Sequence, residues 1–221
     1  MKLIKPYTKI LTAIDGKEIL KIIEKVARTC YKSEDKITNE SAEQMIKNLL
    51  AKKHEAMLEF FDIIVKFICD RGVSHEIVRH RIASYAQEST RYCNYSKDKF
   101  NNQLTFIIPC WSDHIYDGEW RSKSEQSDFT PAENTWYKAM IMSETYYNEL
   151  INLGWQPQQA RTVLPNSLKT EINVKMNLRE WRHFFTLRTS IVAHPQMREL
   201  TIPLLKEFKL KIPVLFDDIN K

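Results

Sequence analysis

Glycine is scarce in this 221-residue chain: there are four, Gly16, Gly72, Gly118 and Gly154, and no two are close in sequence. A Walker A loop and a GxGxxG dinucleotide turn each need several glycines within a few residues, so neither is present and side chains must do most of any phosphate binding. Four cysteines, Cys30, Cys69, Cys93 and Cys110, lie far apart with no CxxC pair. That speaks against a disulfide or zinc framework and for free thiols in a reducing compartment. No apolar run approaches the length of a membrane span, and MKLIKPYTKILTAIDG carries lysines but no stretch suited to a signal peptide. The chain therefore reads as cytoplasmic, with no membrane partner. Charge of one sign is also in short supply. Lys+Arg 33 against Asp+Glu 28 leaves +5, which suits small anionic ligands but falls short of the clustered excess of a nucleic-acid binder.

What is present is a core. Hydrophobic residues at 43% and aromatics at 11% exclude disorder, and the length fits one domain over 1–221. Residues 3–12 read as a strand. Ile19, Ile23, Val26, Ala27 and Cys30 recur at helical spacing after Asp15. Ser41-x-x-Gln44 reads as a capping box ahead of a second helix. Phe60 to Ile68 reads as a strand ending near Gly72, and Ser74 as the cap of a short helix over 75–82. Thr130-Pro131-Ala132-Glu133 and Gly154 bracket a long helix over 131–153, and Pro157 opens a short one that stops before Pro165. Leu168 to Asn177 alternates as a half-buried strand, Asn177-x-x-Glu180 caps the next helix, and Pro195 begins another that contains Pro203. The polar stretch from Asp113 to Asp128 is the one long surface loop. Long helices with few strands predict an α+β fold, a single mixed domain with a small sheet flanked by long helices.

Chemistry concentrates in RGVSHEIVRHRIASYAQESTRYCNY, Arg71 to Tyr95. Arginine is always charged and presents a planar fork of donors suited to phosphate and imide oxygens. On a helix Arg79 and Arg81 would lie about 200° apart and serve two ligands or two subunits, whereas Ser89 and Arg91 in extended chain would clamp one phosphate. A lone RHR is more often a solvated basic face. Likewise, an arginine ending a helix, as Arg188 does, is more often a partner for its last carbonyls. His75-Glu76-Ile77-Val78-Arg79-His80 is no zinc helix, because HExxH needs its second histidine where Arg79 stands, and His80 is about 140° further round. No metal is expected. Ser89 has no histidine close in sequence to activate it. Arg79, Arg81 and Arg91 with Tyr85, Tyr92 and Tyr95 could form stacking platforms for a single strand, but the charge balance argues against it.

RHRIASYAQESTR resembles the signature of the flavin-dependent thymidylate synthases: RHR, seven residues, then serine. His54-Glu55-Ala56-Met57-Leu58-Glu59 is similar to that family's upstream His-Glu-x-x-x-Glu segment. Ala160-Arg161-Thr162-Val163-Leu164-Pro165 resembles its ARxxLP stretch. Asn177-Leu178-Arg179-Glu180-Trp181, His183, Leu187-Arg188 and Ala193-His194-Pro195-Gln196 resemble its C-terminal block. The match spans 54–196. It departs at Lys53, where the family usually has glycine, and at Phe60, where it often has a second histidine. The cysteine-dependent synthases match only at Pro109-Cys110. The resemblance implies reductive methylation of dUMP to dTMP, with methylenetetrahydrofolate as carbon donor and NADPH as reductant through FAD, in a homotetramer with shared sites. It implies that Glu76, Arg79, Gln87, Glu88, Ser89, Thr90, Arg91 and Arg161 hold the nucleotide, and that Arg188 is the catalytic residue facing uracil. His54, Ala56, Glu59, Arg79, His80, Arg81, Gln87, Asn177, Arg179 and His183 are implied to hold FAD.

Overall fold

The computed structural model describes residues 1–120, 124 and 126–219. In chain order the elements are β1 (Lys2–Ile4), β2 (Tyr7–Ile10), α1 (Gly16–Thr29), α2 (Ser41–Ala51), β3 (Asp62–Asp70), α3 (Arg71–Ile77), β4 (Ser84–Gln87), β5 (Thr105–Ile107) and β6 (Gly118–Glu119). There follow α4 (Pro131–Asn152), α5 (Pro157–Ala160), β7 (Lys169–Asn177), α6 (Leu178–Arg188), α7 (Pro195–Lys211) and α8 (Pro213–Phe216). The architecture is the expected mixture of α and β, with a three-stranded sheet of order β5-β1-β6 and a four-stranded sheet of order β2-β3-β7-β4. Two compact units can be distinguished. The first comprises Met1–Tyr7, Phe67–Arg79 and Ala86–Ile172; the second comprises Thr8–Lys66, His80–Tyr85 and Asn173 onward.

In the first unit β1 pairs in parallel with β5, Leu3 opposite Phe106, and antiparallel with β6. Leu3, Phe106, Tyr137, Tyr147 and Leu168 form the centre of its core. Helix α4 has the predicted capping box: Thr130 Oγ1 accepts from Glu133 N at 3.2 Å, and Glu133 Oε2 accepts from Thr130 N at 2.8 Å. It stops where Gly154 adopts φ +92°, a conformation open to glycine and strained for other residues. Within the loop expected over 113–128, residues 118–119 form β6, and residues 121–123 and 125 lie outside the described residues.

The second unit is built on aromatic packing. Residues three and four apart share a helix face, so α6 turns Trp181, Phe184 and Phe185 inward. Trp181 stacks on Phe185 at 5.6 Å and meets Phe208 of α7 at 5.4 Å, all fully buried. In α1, Asp15 Oδ1 accepts from Lys17 N and Glu18 N, and Ile19, Ile23 and Ala27 face inward as their spacing predicts. Along β7, Thr170, Ile172, Val174 and Met176 are buried and alternate with the polar positions.

Several local expectations are corrected. The strand over 3–12 is two strands, broken around Pro6, which has no N–H for a ladder. Ser41 is the first residue of α2 rather than its cap. Its hydroxyl accepts from Thr38 N at 2.8 Å and donates to Glu24 at 2.9 Å, a tertiary bond that displaces the local one. Helix α3 begins at Arg71, because the Asp70 carboxylate reaches Val73 N at 2.6 Å and caps before Ser74 can. It ends at Ile77, so Arg79-His80-Arg81 follows the helix instead of riding on it, and the 200° separation does not apply. Ser89 to Arg91 is a turn rather than extended chain: Ser89 O accepts from Tyr92 N at 3.2 Å and from Cys93 N at 2.9 Å.

The departure at Lys53 has a backbone explanation. Lys53 N donates to Leu50 O at 3.0 Å and His54 N to Leu49 O at 2.8 Å, a Schellman closure of α2 that places Lys53 at φ +57°. A side chain there costs about 1–2 kcal/mol, partly offset by the extra freedom glycine has when unfolded. Lys53→Gly is expected to stabilise the protein by about 0.5–1 kcal/mol, read as a higher urea midpoint at unchanged m-value; a lower midpoint would refute the strain.

Candidate active site

The first unit gathers one group of the sequence-predicted residues around the turn that follows β4. Arg161, just past α5, donates from Nη1 to Thr90 Oγ1 at 3.3 Å. Arg91 donates from Nε to Gln158 Oε1 at 3.2 Å, and its guanidinium lies 5.2 Å from the Tyr92 ring centre. Ser89 Oγ accepts from Arg91 N at 3.3 Å. Two exposed guanidinium groups and two hydroxyls thus meet on one turn, a donor set suited to a phosphate. Gln87 and Glu88 face elsewhere. Gln87 Nε2 donates to Ser74 Oγ at 2.9 Å and Thr170 Oγ1 at 3.2 Å. Glu88 accepts from Tyr95 Oη at 2.9 Å and from Lys169 Nζ at 3.0 Å, and Lys169 also meets Glu171 at 2.7 Å. Burial disfavours charge on Lys169, but the two carboxylates outweigh it and raise its pKa. Glu76 is half-buried and its carbonyl accepts from Arg79 N at 3.2 Å. The Arg79 side chain is exposed and makes no hydrogen bond or ion pair with the described residues.

The second unit gathers the other group. A cleft of about 520 Å³ is lined by Glu55, Glu59, Ile82, Asn177, Arg179, Glu180, Arg182, His183 and Thr186. Arg179 and His183, four apart on α6, share its outer face. Arg179 Nη1 donates to Glu59 Oε1 at 2.6 Å; with both side chains about half exposed, the pair contributes at most about 1 kcal/mol. Asn177 Oδ1 caps α6 by accepting from Glu180 N at 2.8 Å. His54 and Ala56 are exposed at and just after the start of the 3-10 turn Glu55–Phe60, and Arg81 is exposed without a partner among the described residues.

His80 is the buried member. Arg188 Nε donates to His80 Nε2 at 3.0 Å, and His80 Nδ1 lies 3.2 Å from Glu180 Oε1. The arginine can only donate and the Glu180 carboxylate can only accept, so both partners keep the ring proton on Nδ1, which donates a hydrogen bond to Glu180. Phe184 packs edge-on at 4.9 Å, and the Tyr85 hydroxyl donates to the His80 carbonyl. Burial, then the Arg188 charge, then His183 lower the His80 pKa to about 4, so the ring is neutral at pH 7. The folded pKa lies below the ordinary 6.5, so acidification from about 6.5 toward 4 favours the unfolded chain, where the imidazole protonates freely. Burial raises the Glu180 pKa, opposed by His183 and Arg179. Donor atoms of His80, Glu180 and His183 lie within 4.8 Å of one another, but both His80 nitrogens are engaged and a guanidinium adjoins them. The set carries a hydrogen-bond chain rather than a cation.

The family model described as "Thymidylate synthase complementing protein" matches residues 11–214. The chain belongs to that family. It is 36% identical over 174 residues to a flavin-dependent thymidylate synthase of Pyrococcus furiosus, covering 78% of this chain and 65% of that one. It is 30% identical over 200 residues to a flavin-dependent thymidylate synthase of Geobacter sulfurreducens, covering 87% and 78%. The chain thus spans just under two thirds of the length of the Pyrococcus furiosus relative. A UMP/dUMP methylase, PolB, from Streptomyces cacaoi, solved bound with 5-Br UMP, superposes with a TM-score of 0.72 at 17% identity over 98% of this chain and 95% of that one, a likeness of fold.

Reading the sequence missed Gln158, Lys169, Ser74 and Thr170 as neighbours of the first group, and saw Glu180 only as a capping residue. The last had a signal, a glutamate at the third helical position of a block that ends in arginine, but its partner is 100 residues away.

Proposed function

We propose that the protein is a flavin-dependent thymidylate synthase that converts dUMP to dTMP, takes its one-carbon unit from methylenetetrahydrofolate, oxidises NADPH through FAD, and works in the cytoplasm as a homotetramer with shared sites. In this proposal residues 1–221 are one catalytic domain. The observation that carries this reading is the Arg188 guanidinium, held through Nε by a neutral, buried His80. For uracil C5 to attack the methylene carbon, electron density must move onto the ring, and a fixed cation beside the developing enolate-like oxygen lowers that barrier. The same cation favours the ionised imide. In the overall balance the C5 proton is lost, dTMP and tetrahydrofolate are released, and NADPH is oxidised to NADP+.

The phosphate is held by Ser89, Thr90, Arg91 and Arg161, with Glu76, Arg79, Gln87 and Glu88 around the rest of the nucleotide. The donor set of the second-unit cleft fits a flavin dinucleotide: Arg179, His183 and the Asn177 amide cluster at the N-terminal half of an 11-residue helix, where anionic phosphates are favoured. His54, Ala56, Glu59, Arg79, His80, Arg81 and Gln87 complete that set by resemblance. When bound, the flavin supplies the two electrons, drawn from NADPH, that turn the transferred methylene into a methyl group. Exposed Ile191 and Val192, between α6 and α7, support contact with further copies of the chain. No helix among the described residues is long and apolar enough to cross a membrane.

The test is direct. The purified protein is expected to be yellow, to oxidise NADPH only when dUMP is added, to form dTMP with methylenetetrahydrofolate, and to rescue a thymidine-requiring strain lacking any other thymidylate synthase. A yellow protein without turnover would reduce it to a flavin binder. A colourless protein with salt-sensitive oligonucleotide affinity would overturn the reading for a nucleic-acid module.

A further inference from the structure

We propose that Glu180 is a positioning residue of this site: its carboxylate accepts a hydrogen bond from His80 Nδ1–H, which keeps the ring proton there and leaves Nε2 bare to fix the Arg188 guanidinium. This rests on the role given to Arg188 above.

A glutamate three residues after an asparagine cap ordinarily turns back to the N–H of the cap. Here the backbone half of that pattern forms, with Glu180 N on Asn177 Oδ1 at 2.8 Å, but the carboxylate leaves its helix for His80, at 3.2 Å from Nδ1. It does so at a cost, because the Glu180 side chain is 10% exposed and that of His80 4%, and burying a carboxylate is unfavourable without a compensating bond. The bond it makes also holds the tautomer that the Arg188 contact requires. An imidazole has one proton when neutral, and which nitrogen carries it is set by the partner of the other. With the Glu180 carboxylate on Nδ1, Nε2 is an acceptor and meets Arg188 Nε at 3.0 Å. With the proton on Nε2, two donors would face each other and the guanidinium would be pushed away. Phe184 and His183 close on the ring at 4.9 and 5.8 Å and restrict its rotation. Glu180 therefore acts on the substrate side of the site without touching it.

The experiment uses 15N-histidine NMR of the full-length protein at pH 7, with the His80 resonances among the six histidines identified by their loss in His80→Gln. The wild-type ring is expected to be neutral and protonated on Nδ1. Glu180→Ala is expected to lose that signature and to lower kcat about 10–100-fold, by analogy with the loss seen when the group that orients a metal-bound histidine is removed. Glu180→Gln keeps an acceptor oxygen, so it is expected to retain the signature and most of the rate. In an Arg188→Ala background, Glu180→Ala is expected to change kcat no further, whereas a merely structural carboxylate would add its full loss again. An Nε2-protonated or cationic His80 in the wild type, or additive losses in the double variant, would overturn the proposal. Absence of synthase activity in the wild type would sink the reading of function while leaving the tautomer result to stand by itself, and Glu180→Gln remains informative should the alanine variant not fold.

Discussion

Arg188→Ala is expected to lower dTMP formation about 10²–10³-fold in kcat, equivalent to about 3–4 kcal/mol, while leaving the protein yellow. The size follows from the role proposed for the group. A preorganised cation that meets developing negative charge contributes to the transition state and little to the ground state, so its loss falls on kcat rather than on KM for dUMP. Retention of flavin is expected because the residues proposed to hold it, Asn177 at the cap of α6 and Arg179 and His183 on its earlier turns, keep their own contacts. Removing the guanidinium also leaves His80 Nε2 buried without its donor, which costs about 1–3 kcal/mol of stability. Thermal unfolding is therefore measured alongside, and a folded, yellow variant with turnover within threefold of wild type would refute the assignment. Arg188→Lys keeps the charge but not the Nε–H geometry, so it is expected to recover little of the rate.

Trp181→Ala is expected to cost about 3–5 kcal/mol of folding stability. The indole is fully buried, donates from Nε1 to Ile63 O at 3.1 Å, and touches Phe184, Phe185 and Phe208 at ring separations of 5.4–5.6 Å. Truncation removes all these contacts at once, leaves a cavity lined by rings too rigid to collapse into it, and takes the indole donor from a buried carbonyl. Since single domains typically hold about 5–15 kcal/mol in reserve, the variant is expected to be marginal at 37 °C, with its urea midpoint shifted far down. Trp181→Phe keeps most of the apolar volume and is expected to lose less than half as much. A folding stability for Trp181→Ala within about 1 kcal/mol of wild type would show that α6 is not anchored by this residue.

The helices flanked by their own signals were legible. Asp15 before α1, the Thr130–Glu133 box and Gly154 around α4, and Asn177 before α6 act within three or four residues of the backbone they serve, so local chemistry decided them. The errors share a cause. Ser41 and Ser74 are competent caps by type, but Glu24 claims the Ser41 hydroxyl from 17 residues away, and Asp70 offers a stronger acceptor to α3. The turn at Ser89–Cys93 closes through carbonyl bonds that any sequence can make, which is why composition could not distinguish it from extended chain.

By itself the sequence determined the absence of glycine-rich phosphate cradles and of a cysteine framework, the α+β class, and which arginines and histidines are candidates to hold a ligand, because these depend on residue type and short spacing. Only the tertiary structure decided which residues meet. That Arg161 reaches Thr90 across 71 positions, and that Glu180, His80 and Arg188 form one chain of hydrogen bonds, could not be read from spacing. The reason is physical: a proton's place on His80 depends on partners 100 and 108 residues away, and long-range partners are set by how helices and strands pack rather than by any local pattern.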